Sequence, residues 1–154
     1  MRAVILSLDT GAYKAKADVA AASLKRMLEQ VGIEVRAAKA FPEDKEMLKT
    51  VLCKLADAGM AELVLTTGAV GFLEKHCAPD AVRETADRLL PGIPEALRAY
   101  NLRHTKKVIL DRSEAGIRKK TLMINLPESA KMAKEDLEYI LPEVVQVVDT
   151  FSLR

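Results

Sequence analysis

Six small or hydroxyl-bearing residues, Thr66, Thr67, Gly68, Ala69, Val70 and Gly71, follow an apolar stretch and precede Pro79 and Asp80. Strand, loop and helix in that order is the layout of many phosphate-binding sites, where backbone amides and a helix start face an anion. The side chains of this loop are less suited to the task. Where glycine would let the backbone come close, Ala69 and Val70 stand, and where a carboxylate would direct a metal ion, His76 stands. Alanine is strained wherever φ is positive, and valine has no hydroxyl to offer an anion or a metal-bound water. The neighbouring His76 and Cys77 do not read as a base and its nucleophile, because adjacent side chains rarely pair and no third group orients them. Asp80, at a helix start, is stabilising there without any catalysis. His104 reads as a surface residue near a strand start.

The elements that must hold this loop are legible as alternating patterns. Residues 4–8 and 63–67 are short continuous apolar runs, as central strands buried on both faces would be. Residues 33–41 alternate, which suits an edge or partly covered strand. Ala20, Leu24, Met27, Leu28 and Val31 recur at helical spacing before Gly32, and Leu48, Val51, Leu52 and Leu55 do so before Gly59. A helix is expected from near Pro79, carrying Val82, Ala86 and Leu89, and a second with Pro94 in its first turn. The stretch "KKVILDR" is expected to be a strand, and "AGIRKKTLMINLP" a short strand, a basic turn and a buried strand. Ala133, Leu137, Ile140 and Leu141 mark a C-terminal helix, interrupted or restarted at Pro142.

Strands alternating with helices imply an α/β domain with a mostly parallel sheet covered on both faces, a three-layer α/β/α arrangement. Ligands of such sheets bind beyond the carboxyl ends of the strands. The segments to watch are therefore 7–13, 41–46, 66–76, 111–116 and 125–129. A chain of 154 residues suits one domain, 1–154, with a core large enough to need no disulfide. Cys53 and Cys77 suit a reducing cytoplasm and lack metal-ligand spacing, so no metal site is expected from them. The apolar run at the N-terminus is too short for a signal peptide or a membrane span, and a cytoplasmic protein without membrane association is expected. Net charge is +2. Basic clusters at Arg103, His104, Lys106 and Lys107, and at Arg118, Lys119 and Lys120, read as solvated faces, and scarce aromatics argue against nucleic-acid binding.

Taken together, "TTGAVG", "APDA", "PGIPEALR", "AGIRKKTLMINLPES" and "ILPEVVQVVD" resemble, in this order and spacing, the MogA/MoaB family of molybdenum-cofactor biosynthesis. Its active members are molybdopterin adenylyltransferases. The resemblance covers nearly the whole chain. It implies a homotrimer, and a molybdopterin ligand at a site drawn from Thr66, Thr67, Gly68, Ala69, Val70, Gly71, Asp80, Glu95, Arg112, Asn125, Pro127 and Ser129. The valine-rich "VVQVVDTF" adds to the expectation of an assembly, being more apolar than a lone surface helix requires.

The resemblance also locates departures. The family's loop aspartate falls on His76, its loop glycine on Ala69, its loop threonine on Val70, and an aspartate of its first loop, near Gly11 and Tyr13, on Ala15. Glu43, beside Asp44, stands where the family has an acidic turn residue; these acids also suit a helix start. Glu128 replaces a glycine of the turn after the last strand. Imidazole is a poor ligand for Mg²⁺, so the substitutions weigh against use of Mg-ATP. The implied function is a molybdopterin-binding protein of adenylyltransferase descent, with catalysis at Glu43 and His76 weak or lost. The alternatives are a non-catalytic scaffold and a pocket repurposed for another phosphorylated ligand.

Overall fold

The computed structural model describes residues 1–9 and 14–153, the side chains of 9 and 14–17 excepted. Gly11, Tyr13 and the side chain of Ala15 lie outside the described residues. The strands are β1 (Arg2–Asp9), β2 (Glu34–Pro42), β3 (Leu63–Thr67), β4 (Arg88–Leu89), β5 (Ala115–Arg118) and β6 (Thr121–Leu126). The helices are α1 (Lys14–Gln30), α2 (Lys45–Asp57), α3 (Ala78–Thr85), α4 (Gly92–Asn101) and α5 (Ala130–Ser152).

These strands form one sheet in the order β2-β1-β3-β6-β5-β4. β2, β1, β3 and β6 are parallel, β5 runs against β6, and β4 against β5. The carboxyl ends of the four parallel strands and of β4 therefore share one edge with the start of β5. Successive side chains of a strand point to opposite faces. Ala3 and Ile5 of β1 pack with α1 and α5, whereas Val4, Leu6 and Leu8 pack with α2 and α3. This is why β1, β3 and β6 read as unbroken apolar runs, while β2, at the edge, alternates between exposed and half-buried positions. The result is the expected three-layer α/β/α sandwich.

Gly32 and Gly59 end α1 and α2 in the same way. Each adopts positive φ, +84° and +62°. The amides of Ile33 and Met60 then reach back to the carbonyls of Leu28 and Leu55, satisfying groups a helix end leaves open.

Three expectations fail. "KKVILDR" is not a strand: Lys106–Leu110 form a 3-10 helix, capped by Thr105, whose Oγ1 accepts the Lys107 amide. Only Val108 of its apolar trio is buried, and Ile109 and Leu110 are exposed. A short apolar run does not by itself distinguish strand from helix. Second, α3 ends at Thr85, and Leu89 belongs to β4, which adds to the free side of β5. Third, α5 passes through Pro142 without restarting. Val144 and Val148 are buried beyond it, so packing on the sheet offsets the one missing backbone bond.

The valine-rich end contributes to the subunit's own packing. Val145, Val147 and Phe151 pack against this chain's own core. The basic turn after β5 lies at the opposite edge of the sheet from the loop of interest. There Arg118 makes paired contacts to Asp57, at 2.9 and 3.0 Å, and Lys119 lies 3.4 Å from the same carboxylate.

Candidate functional site

The loop after β3 is built by two left-handed residues in succession, Gly68 at φ +81° and Ala69 at φ +57°. For alanine that conformation costs roughly 1 kcal/mol, and the surroundings must enforce it. They do so through three backbone bonds. The Gly68 amide donates to the Leu126 carbonyl (3.0 Å), the Ala78 amide to the Ala69 carbonyl (3.1 Å) and the Arg112 amide to the Val70 carbonyl (2.8 Å). The loop is thus pinned to the end of β6, to α3 and to the segment before β5. A Cβ on Gly68 would lie 3.2 Å from the Leu8 carbonyl oxygen and 3.9 Å from Cβ of Glu128, so β1 and the turn after β6 close tightly on it. Among the described residues, the amides of Ala69, Val70 and Gly71 find no backbone acceptor. Consecutive amides left open in this way are groups an anion can use.

The side chains around the loop are largely committed to the protein itself. Thr66 is buried, and its Oγ1 accepts from Asn125 Nδ2 at 2.8 Å. Asn125 Oδ1 accepts the Glu114 amide at 2.9 Å, so this asparagine ties β3, β6 and the start of β5 together. Thr67 Oγ1 donates to Ser7 Oγ across to β1. His76 turns back on its own loop, its Nδ1 accepting the Leu73 amide at 3.2 Å. A Cβ on Gly71 would sit 2.6 Å from that nitrogen, so the imidazole occupies the space a side chain there would take. Ser129 caps α5, its Oγ accepting the Met132 amide.

Asp80, in the first turn of α3, is held by Arg112 at 2.8 Å and Arg83 at 3.1 Å. Arg112, half-exposed, is therefore an anion-compatible cation already engaged at this edge. Asp44 caps α2 by accepting the Met47 amide, the helix-start role foreseen for these acids. Glu43 stands near the start of α3. Burial, with the charges of Glu43, Asp44 and Asp80 close by, pushes the Cys77 thiol above its ordinary value and away from reactivity.

Of the expected residues, Thr66, Thr67, Gly68, Ala69, Val70, Gly71, His76, Asp80, Arg112, Asn125, Pro127 and Glu43 gather around the ends of β3 and β6 and the start of α3. Glu95 is exposed near the start of α4.

Apart from Glu43, the described side chains offer little to Mg²⁺, a hard cation that takes oxygen ligands. Asp80 is paired to two arginines, Asp44 caps a helix, and His76 offers nitrogen already engaged with its own loop. Among the described residues, no group of three or more His, Cys, Asp or Glu could hold a metal ion.

Sequence reasoning missed a second feature at this edge. Asp136 of α5 and Asn101 of α4 are buried, at 1% and 2% exposure, and joined by Asn101 Nδ2 donating to Asp136 Oδ2 at 2.9 Å. Burial pushes the Asp136 carboxyl up to about 6, the Asn101 bond opposes this, and the charges of Asp111 and Glu135 add to the rise. A readable signal existed. Ala133, Asp136, Leu137 and Ile140 share the 3.6-residue stripe that faces the core, and a carboxylate on such a stripe is rarely idle.

Known proteins resemble this chain in sequence and in shape. Residues 3–146 match the family described as "Probable molybdopterin binding domain". The chain is 39% identical over 98 residues to the molybdopterin adenylyltransferase of Escherichia coli (strain K12), a stretch covering 64% of this chain and 50% of that protein. It is 35% identical over 107 residues to the molybdopterin adenylyltransferase of Helicobacter pylori (strain J99), covering 70% and 61%. The chain thus spans between half and about three fifths of the length of these relatives. The solved structure of the molybdopterin biosynthesis enzyme MoaB from Thermus thermophilus is 34% identical, covers 96% of each chain and superposes with a TM-score of 0.82. A Mycobacterium abscessus structure, 24% identical over 98% and 96% of the two chains, has a TM-score of 0.88, which speaks for the fold.

Proposed function

Because the chain belongs to the family of probable molybdopterin-binding domains, we propose that it binds molybdopterin in molybdenum-cofactor biosynthesis, as a descendant of adenylyltransferases whose own catalysis is weak or lost. The observation that carries this reading is the loop after β3. Two left-handed residues lie at the carboxyl edge of the sheet, and the three amides that follow Gly68 have no backbone acceptor among the described residues, a capacity that a phosphate would use. The side chains that would add metal-assisted chemistry are turned to other uses. Adenylyl transfer depends on positioning and on neutralising phosphate charge. A loop that keeps the amides and loses the carboxylate retains the first and lacks the second. Each ~1.4 kcal/mol of lost transition-state stabilisation is tenfold in rate.

The subunit is read as one domain in a cytoplasmic homotrimer, supported by the family. Among the described residues no helix is long and apolar enough to cross a membrane. Light scattering at micromolar concentration is expected to give three times the mass of the chain; a monomer mass counts against the trimer.

The functional test has two halves. Calorimetry with molybdopterin and with Mg-ATP separately is expected to show the pterin bound and the nucleotide weak or silent. Turnover is then compared between the natural chain and a triple variant, Ala69→Gly, Val70→Thr, His76→Asp. Brisk adenylyl transfer by the natural chain overturns the reading of lost catalysis. Absence of any molybdopterin binding overturns the reading as a whole.

A further inference from the structure

Two of the cavities in the fold differ in character. One, of about 290 Å³ between α4, the 3-10 helix and α5, holds the buried pair of Asn101 and Asp136. Asp111 and Ser113 also line it, on either side of Arg112, whose amide reaches the loop after β3. The other, of about 440 Å³, is a groove between β2 and α2, and it shares no lining residue with that loop.

The groove follows from the uneven covering of an edge strand. On one face of β2, α1 packs over the strand, and Val35 and Ala38 join the core. On the other face, α2 lies over β1 and β3, and Ala37 and Phe41 of β2 pack against the margin of that cluster, each half-buried. Val4, Leu6, Phe41, Val51 and Leu55 give the groove an apolar lining. Met60, 44% exposed, adds an adaptable thioether. The charged residues of the lining are Arg2, Arg36 and Lys39, with no acid among them. Arg2 is held by Glu62 at 2.6 Å, and Arg36 by Glu34 at 3.2 Å. Lys39 has no ion-pair partner among the described residues.

The place of Lys39 is unusual for its type. In register it stands beside Leu6, with Ala37 and Phe41 two residues away on the same face. Strand alternation thus puts an exposed ammonium into a row that is otherwise apolar. Lysine on an edge strand commonly blocks pairing with another chain, as do bulges and proline. The register shift beside Arg36 and Pro42 at the end of β2 serve that purpose here too. These devices disfavour an added peptide strand, but they leave the groove open, and its volume is that of a small-ligand cleft.

We propose that the groove between β2 and α2 binds an aliphatic carboxylate, its chain lying on Val4, Leu6, Val51 and Leu55 and its charge paired with Lys39. The chain is aliphatic because the lining is, with Phe41 its one aromatic side chain. The head is anionic because every charged side chain of the lining is a cation. It falls to Lys39 because the two arginines already have acid partners, so a pair forms there without breaking another.

The test is calorimetry at pH 7 with two probes of equal chain length and opposite charge, decanoate and decyltrimethylammonium, each below the concentration at which it forms micelles. The natural chain is expected to bind one decanoate per chain, about tenfold or more tighter than the cation, as a charge-assisted contact gives. Lys39→Met keeps the length and apolar character of the stem and is expected to lose that preference, whereas Lys39→Arg keeps it. Ala37→Phe fills the groove from the sheet edge and is expected to abolish decanoate binding. Should that variant fail to fold, the two changes at exposed Lys39 still locate the site. Equal affinity for the two probes, no decanoate binding by the natural chain, or a preference that survives Lys39→Met overturns the proposal. Self-association of the Lys39→Met chain, with no decanoate binding by the natural one, also overturns it and leaves Lys39 as a guard of the edge alone.

Discussion

The loop after β3 and the cavity between α4 and α5 lie at the same edge of the sheet and treat their polar atoms in opposite ways. In the loop, Thr66, Thr67, His76 and Asp80 each have a protein partner, and the anion-facing capacity rests with the backbone. In the cavity, the buried pair of Asn101 and Asp136 leaves two side-chain oxygens without a partner among the described residues. A motif can therefore persist while its side chains turn inward, and an unannounced position can carry the unmet hydrogen-bonding capacity. Four variants probe this contrast.

The largest effect is expected at Asp136. The folded protein ionises this group near 6, whereas an unfolded chain does so near 3.9. Between those values the folded state binds more protons than the unfolded state, so raising the pH removes stability, on the order of 2–3 kcal/mol by pH 7. Asp136→Asn escapes this penalty. Its melting temperature relative to the natural chain is expected to rise steadily from pH 4 to pH 7. A pH-independent difference would show that the carboxyl is not desolvated in solution.

Next in size is the packing of the loop. Gly71→Ala places a methyl 2.6 Å from His76 Nδ1 and is expected to cost about 1–3 kcal/mol in chemical denaturation, as overpacking does. In a His76→Ala background the same change is expected to cost little, because the obstructing ring is gone. Additive costs in that double-mutant cycle would break the account of His76 as a brace of its own loop.

Ala69→Gly removes left-handed strain at φ +57° and is expected to stabilise by up to about 1 kcal/mol. The gain is limited because the Ala69 methyl is buried against α3. A loss of stability would mean that this methyl contact outweighs the backbone strain.

Asp80→Asn is expected to change stability by less than about 1 kcal/mol, since its partners Arg83 and Arg112 are partly exposed and screened. It frees positive charge beside the loop, so inorganic phosphate is expected to bind more tightly. Unchanged phosphate affinity in calorimetry would separate this ion pair from the anion site.

Much of the frame was determined by local pattern. Continuous apolar runs at β1, β3 and β6, helical stripes ending at Gly32 and Gly59, and the alternation of β2 follow from side-chain direction in strands and helices, and this information is carried by neighbouring residues. The loop after β3 was legible for the same reason, since its threonines and glycines are consecutive. Other features depended on what lies across space. The apolar trio at Val108 became a 3-10 helix because a threonine capped it and β4 took the free side of β5. Pro142 stayed inside α5 because valines beyond it found the sheet. That His76 turns to its own loop, over the space at Gly71, is visible only in the assembled structure. Asn101 and Asp136, 35 residues apart in sequence, became one buried pair only when two helices packed on the same face. Burial and partnership are properties of the assembled layers, and a polar residue on an apolar stripe announces a question in the sequence that only the packing answers.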